Sequence, residues 1–285
     1  MGESEFHGMW VDWFFLCARK EHGQPSCMIR LLSTDFDGTL VDHYAKPPVQ
    51  PELMSLFAEL QGKGVRWAVN TGRDLPLTLE GLQQFGFQIR PDFLLTAERD
   101  IYHFLDGEWV AFGSWNQRCA ADHDELFGRS GDLLQDIERF LRTQVRAEPI
   151  WEGPRMVGLA AGSERDMDLT CRFLERERRR VPGFAFMRNT LYVRFCHEAY
   201  NKGTALSELG RLLEVGPNQI FAAGDHYNDL PMLDGVHARW VCCPANAVTV
   251  VKQAVTAAGG YVAKSLCSSG VVEGLQKFMT QVAVG

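Results

Sequence analysis

Leu32-Ser33-Thr34-Asp35-Phe36-Asp37-Gly38-Thr39-Leu40 is the stretch on which the fold turns: an apolar run, two carboxylates two residues apart, then a glycine. Residues 29–34 read as a short buried strand. Along a strand, side chains two apart face the same side, so Asp35 and Asp37 emerge together at its carboxyl end, where open α/β sheets bind ligands. Two like charges that close cost free energy unless a cation or a shared proton relieves them. Mg²⁺, a hard ion that prefers oxygen ligands, is the natural relief. Taken alone, the pair also fits a polar turn with solvated aspartates.

Beyond this turn, Pro51 opens a helix with Leu53, Leu56, Phe57 and Leu60 on one face, and residues 65–70 return as a second strand. Strand, helix and strand at this spacing imply a right-handed parallel crossover. A helix over 75–85, a strand over 92–96 and a hairpin at Asp106-Gly107 follow. Between about Gly113 and Phe195 the pattern changes. An amphipathic helix runs through Leu133, Ile137 and Leu141, a strand covers 156–161, a helix carries Met167, Cys171 and Leu174, and a strand covers 191–195. The first pattern then resumes, with a helix over 202–214, strands over 219–224 and 238–242, a short helix near Asp229, and helices after Asn246 and Ser269. The expected fold class is α/β, a doubly wound, Rossmann-like parallel sheet interrupted by an α+β insertion. The expected division is an extension over 1–27, a core over 28–112 and 196–285, and the insertion over 113–195.

A chain of 285 residues is long enough for two domains. Its 46% hydrophobic and 23% charged residues exclude disorder and fibrous classes. Acidic residues outnumber basic ones 36 to 29, a net charge of −7, which argues against a broad nucleic-acid footprint. Any anionic substrate must be held by local cations. The eight cysteines form neither CxxC pairs nor Cys/His metal spacing, which suits reduced thiols in a cytoplasmic protein. The apolar residues 9–18 are interrupted by Asp12 and preceded by Glu3 and Glu5, the pattern of neither a signal peptide nor a membrane span.

Three further motifs fall at the ends of expected elements. Asn70-Thr71-Gly72-Arg73 ends the second strand, Asn201-Lys202-Gly203 begins the helix after the insertion, and Gly224-Asp225-His226-Tyr227-Asn228-Asp229 ends a later strand. Each has an ordinary explanation: Thr71 as a helix cap, Lys202 as a solvated first-turn residue, Asp229 as an acid favoured by a helix dipole. Taken in order with Asp35 and Asp37, they resemble the four motifs of the haloacid dehalogenase superfamily of phosphotransferases. The resemblance spans 28–285, the insertion being matched in position and element type. That insertion, lying between the Thr71 and Lys202 motifs, resembles the C2 cap of the IIB type found in Cof-like and sucrose-phosphate phosphatases. Glu98-Arg99-Asp100 stands where Cof-like relatives carry Asn-Gly-Ala.

The resemblance implies a phosphomonoester hydrolase whose Mg²⁺ is held by Asp35, Asp225 and the Asp37 backbone carbonyl. It implies Asp35 as nucleophile, forming an aspartyl-phosphate, and Asp37, if its crowded acidic surroundings keep it protonated, as general acid and then base. Thr71, Gly72 and Lys202 would bind phosphoryl oxygens. Asn228, counted with the substrate-binding groups, and Asp229 would orient Mg²⁺-bound water or Lys202. Arg73 and Arg99 are candidates to meet an anionic group near the mouth. The expected partner is a small phosphorylated metabolite, a sugar phosphate, with no nucleic acid or membrane. Glu175 to Arg180 reads as a solvated charged face, since Arg172/Arg176 and Glu175/Arg179 sit at helical neighbour spacing. His226 and Tyr227 either pack or touch substrate; Trp67 and Trp240 belong to core strands. Phosphomutase chemistry on the same fold, a receiver-type phosphoacceptor module and a silent binding protein stand as alternatives. Asp37 and the long insertion favour the hydrolase.

Overall fold

The computed structural model describes residues 29–282, so the expected start at Met28 and the extension over 1–27 lie outside the described residues. The strands β1 (Leu31–Thr34), β2 (Arg66–Asn70), β3 (Phe93–Thr96), β4 (Asp100–Leu105), β5 (Glu108–Ala111), β10 (Ile220–Ala223), β11 (Trp240–Cys243) and β12 (Tyr261–Val262) form one eight-stranded sheet. Their order is β12-β11-β10-β1-β2-β3-β4-β5. Pairing is parallel from β12 to β3 and antiparallel at β4 and β5, which the Asp106-Gly107 turn joins with both residues at positive φ.

The central strands are buried on both faces, as their continuous apolar runs require. Helices α1 (Pro51–Gly62) and α9 (Cys267–Val282) cover one face, where Leu53, Phe57, Leu275 and Phe278 meet Leu32, Val69 and Phe221. Helices α6 (Lys202–Leu212) and α8 (Thr249–Ala257) cover the other, where Leu206, Leu209, Val251 and Val255 meet Leu31, Ala68 and Ala222. Chain order reverses at β1, flanked by β2 and β10, and this switch point places a crevice at the carboxyl ends of those three strands.

The chain leaves this sheet after Ala111 and builds a second, antiparallel one from β6 (Ala147–Glu152), β7 (Arg155–Ala161), β8 (Phe184–Asn189) and β9 (Tyr192–His197), in the order β6-β7-β9-β8. Helices α3 (Trp115–Arg129), α4 (Gly131–Gln144) and α5 (Glu164–Glu177) accompany it, with Leu126, Ile137, Met167, Val193 and Phe195 in one core. Three of these elements were not foreseen. The inward stripe of α3, Cys119, His123, Leu126 and Phe127, is half polar; β6 contains Pro149, tolerated because β6 is an edge strand; β8 is largely half-buried. The start of α3 is pinned to the first sheet. Asn116 donates to Ile101 O and accepts from Ile101 N (3.1 and 2.8 Å), and Trp115 Nε1 donates to Arg99 O (2.7 Å).

Trp67 on β2 packs edge-on against Phe57 and beside Phe87, and its Nε1 donates to Thr34 Oγ1 at 3.0 Å, next to the Asp35 turn. Trp67→Ala is expected to cost about 3–5 kcal/mol of stability through the cavity it leaves, read from urea denaturation midpoints.

Candidate active site

The turn after β1 is held by its own backbone. Leu40 and Val41 N–H groups both donate to Phe36 O, Gly38 N–H donates to Val41 O, and the Phe36 ring is buried against Phe87. Gly38 has a φ of +77°, and a Cβ there would lie 2.5 Å from Asp225 Oδ2. The glycine therefore serves both a left-handed turn and the approach of a second carboxylate.

Lys202 is the first residue of α6, whose cap Asn201 accepts from Gly203 and Thr204 N–H. It is fully buried and donates to Asp35 Oδ1 and Asp229 Oδ1, both at 2.6 Å. Burial opposes the ammonium charge, but the two carboxylates outweigh it and hold the lysine pKa above its usual value. Asp229 Oδ2 accepts from the Asp225 and His226 N–H groups at 2.8 Å each. Both Asp229 oxygens are thus committed, and the residue positions Lys202 and the turn after β10. Lys202 is not a solvated first-turn residue. Nor does Thr71 cap α2 (Leu75–Gln84): that cap is Asp74, and Thr71 Oγ1 instead accepts from Arg73 N–H at 3.1 Å.

One oxygen each of Asp35, Asp225 and Asp229 lies within 4.8 Å of the others. Burial and the charges of Asp229 and Asp225 push the Asp35 pKa well above the carboxylate range, against the pull of Lys202. Burial and Asp229 push Asp225 up to about 7, although Thr39 Oγ1 donates to it at 2.9 Å. One buried ammonium thus faces three carboxylates. With Asp229 spoken for, Asp35 and Asp225 are the pair suited to a divalent cation, and their all-oxygen donor set fits a hard one.

Asp37 sits outside this inner cluster, and the acidic surroundings that would keep it protonated are not there. Its surroundings are cationic: Arg73 Nε and Nη2 donate to its two oxygens at 2.7 Å each, and His43 Nε2 lies 2.7 Å from Oδ1. Burial alone would raise its pKa, but Arg73 and His43 outweigh burial and lower it, so Asp37 is a carboxylate and not a protonated acid. Arg73, expected to meet substrate, spends its guanidinium on Asp37 and on Leu77 O. Arg99 lines no part of the cavity described below; it lies beside Asp100.

A cavity of about 450 Å³ brings together Asp35, Asp37, Thr71, Gly72, Arg73, Asp225 and Asn228 beneath Asn189, Thr190, Tyr192 and Arg194 of the second sheet. The Gly72 N–H meets no acceptor among the described residues. Thr190 Oγ1 lies 3.3 Å from His226 Nε2, and Arg188 stacks over Tyr227, so the β8–β9 turn rests on the turn after β10. Asn228 does not reach Lys202: its Nδ2 donates to Glu98 Oε1 at 2.9 Å.

Residues 170–275 match the family of haloacid dehalogenase-like hydrolases. The sucrose-phosphatase of Synechocystis sp. PCC6803, solved with sucrose and phosphate, aligns at 22% identity over 87% of this chain and 97% of that one, with a TM-score of 0.67. SMU.1108c from Streptococcus mutans UA159 aligns at 15% identity over 88% and 99% of the two chains, TM-score 0.63. BT1666 from Bacteroides thetaiotaomicron, of the same superfamily, aligns at 18% over 94% and 99%, TM-score 0.58. Residues 170–275 thus resemble haloacid dehalogenase-like hydrolases, and the chain shares its fold with these structures.

In this cavity, sequence reasoning missed His43, Glu98, Tyr192 and Arg194. The last two carried a signal: Tyr192 and Arg194 alternate with buried Val193 and Phe195, so they share the opposite face of β9. Gly38→Ala should leave the protein folded by circular dichroism while weakening divalent-cation binding in calorimetry by about tenfold or more, since the added methyl meets an Asp225 oxygen.

Proposed function

We propose that the protein is a Mg²⁺-dependent phosphomonoesterase, cytoplasmic, acting on small phosphorylated metabolites of the sugar-phosphate class through an aspartyl-phosphate on Asp35. The observation that carries this reading is the buried Lys202–Asp35–Asp225 constellation beside a cavity of about 450 Å³ whose lining includes several charged residues. The sucrose and phosphate held by the Synechocystis protein support the substrate class, and the six described cysteines, all free, suit a reducing compartment.

Asp35, Asp225 and the Asp37 carbonyl would hold the metal, which supplies the positive charge that lets an anionic carboxylate approach an anionic ester. Lys202 orients Asp35 by one oxygen. The carboxylate attacks phosphorus in line, the phosphorus–oxygen bond to the leaving group breaks, and the alkoxide takes a proton. The Thr71 hydroxyl, the Gly72 N–H and Lys202 offset charge growing on the phosphoryl oxygens. Asp37, held ionised by Arg73, is in the state that takes a proton from water attacking the aspartyl-phosphate; before it can protonate the leaving alkoxide it must release Arg73 and take up a proton from solvent. Residues 113–195 act as a cap over the core of 28–112 and 196–285, excluding water and carrying side chains that read the leaving group. Asn228 orients Glu98, and Asp229 orients Lys202.

Asp35→Asn should lower phosphate release from phosphorylated metabolites in Mg²⁺ by about a thousandfold or more, with the fold retained. Substrate isomerisation in place of release would mark a mutase. Asp35 and Asp225 have raised pKa values, so in metal-free protein their contribution to stability is full below about pH 4 and is lost as pH rises through about 7 for Asp225. A divalent cation supplies the missing charge at high pH. Mg²⁺ should therefore raise the melting temperature more at pH 8 than at pH 5, as read by thermal denaturation at both values.

A further inference from the structure

Two charged side chains in the cavity take no part in the chemistry above. Glu98 follows Ala97 in the β3–β4 turn, and both residues have positive φ, +50° and +67°. Two successive non-glycine residues in the left-handed region are strained, and such strain persists where surrounding structure enforces it. Here Ala97 N–H donates to Arg73 O and Glu98 N–H to Thr71 O, at 2.7 and 2.9 Å, locking the turn against the Thr71–Arg73 loop. The strained turn presents the Glu98 carboxylate to the cavity beside Gly72, whose Cβ position lies 3.3 Å from Oε1. Asn228 satisfies Oε1, while Oε2 accepts no hydrogen bond among the described residues.

Arg194 enters from the other side, on the cavity-facing side of β9 with Tyr192. Other arginines nearby are spent: Arg73 on Asp37, and Arg188 on Glu164 and Asp168. Arg194 is half-buried, has Tyr192 as a hydrogen-bonding neighbour, and forms no ion pair among the described residues. Its charge and that of Glu98 act on each other without closing to contact.

We infer that Glu98 and Arg194, one from each sheet, form a leaving-group subsite that selects neutral, polyhydroxylated phosphate esters. A hydroxyl suits both walls, since its O–H donates to a carboxylate while its lone pairs accept from a guanidinium. An apolar leaving group would strand both charges in a closed site. A leaving group with its own carboxylate or second phosphate would gain Arg194 but face Glu98 and Asp37, so the paired charges disfavour it. The inference rests on the phosphomonoesterase reading and adds to it the residues that choose among esters.

The test compares wild type, Glu98→Gln and Arg194→Met on a hexose phosphate, para-nitrophenyl phosphate and phosphoglycolate. Glu98→Gln keeps an acceptor for Asn228, and Arg194→Lys, which keeps the charge but loses the planar fork, serves if Arg194→Met does not fold. Wild type should prefer the hexose phosphate in kcat/KM. Each variant should lower its preference over para-nitrophenyl phosphate about tenfold or more, mostly through KM. An equal loss on both esters, or a wild-type preference for phosphoglycolate that disappears in Arg194→Met, overturns the subsite. A second arm needs no turnover: the Mg²⁺-loaded protein is melted with a hexose phosphonate or with methylphosphonate. A larger stabilisation by the hexose compound, lost in both variants, supports the subsite, and equal stabilisation defeats it. Absence of phosphate release from every ester would refute the phosphomonoesterase reading, leaving the melting arm to decide the subsite.

Discussion

The structure depends on one buried ammonium. Lys202, with no solvent access, is gripped by Asp35 after β1 and by Asp229 after β10, and its carbonyl accepts from Asn70 Nδ2 at the end of β2. Three neighbouring strands and the first turn of α6 meet at this residue. A buried charge is tolerated only when its partners are well placed, and removing either partner leaves the other uncompensated. The constellation therefore specifies how the strand ends sit relative to one another, whatever it adds to stability.

The same bridge leaves a deliberate imbalance. Asp229 is consumed by Lys202 and two backbone N–H groups, so the charge of Asp35 and Asp225 exceeds what one lysine neutralises, and both carboxyl pKa values are raised. That excess is what a cation would relieve. The outer aspartate is handled by different means. Asp37 has its own cations, Arg73 and His43, and stands in the cavity as an ionised group. Two charge systems thus sit side by side, an inner one short of positive charge and an outer one supplied with it.

Above them the second sheet contributes a roof. Its contacts with the turn after β10 are few and polar, Thr190 to His226 and Arg188 over Tyr227, whereas the start of α3 is tied to the first sheet by Asn116 and Trp115. The roof carries side chains chosen by strand alternation, so Tyr192 and Arg194 face the cavity while Val193 and Phe195 build the core behind them.

Much of this was legible in the chain itself. Continuous apolar runs marked the buried parallel strands, and strand ends rich in Asp, Thr and Gly marked the crevice, because local patterning decides what is buried and where a strand stops. That patterning put Asp35, Thr71, Lys202 and Asp225 at strand or helix ends, and the resemblance to four known motifs singled them out as candidates. What the chain could not disclose was pairing across it. Whether Asp37 lies among acids or beside Arg73 and His43, whether Arg73 is free for a ligand, and whether Glu98 and Arg194 share a cavity depend on distances between residues up to about a hundred positions apart. A carboxylate carries the same charge in any sequence. Its protonation and its partners are set by burial and by the nearest opposite charge, and only the folded chain decides which charge that is.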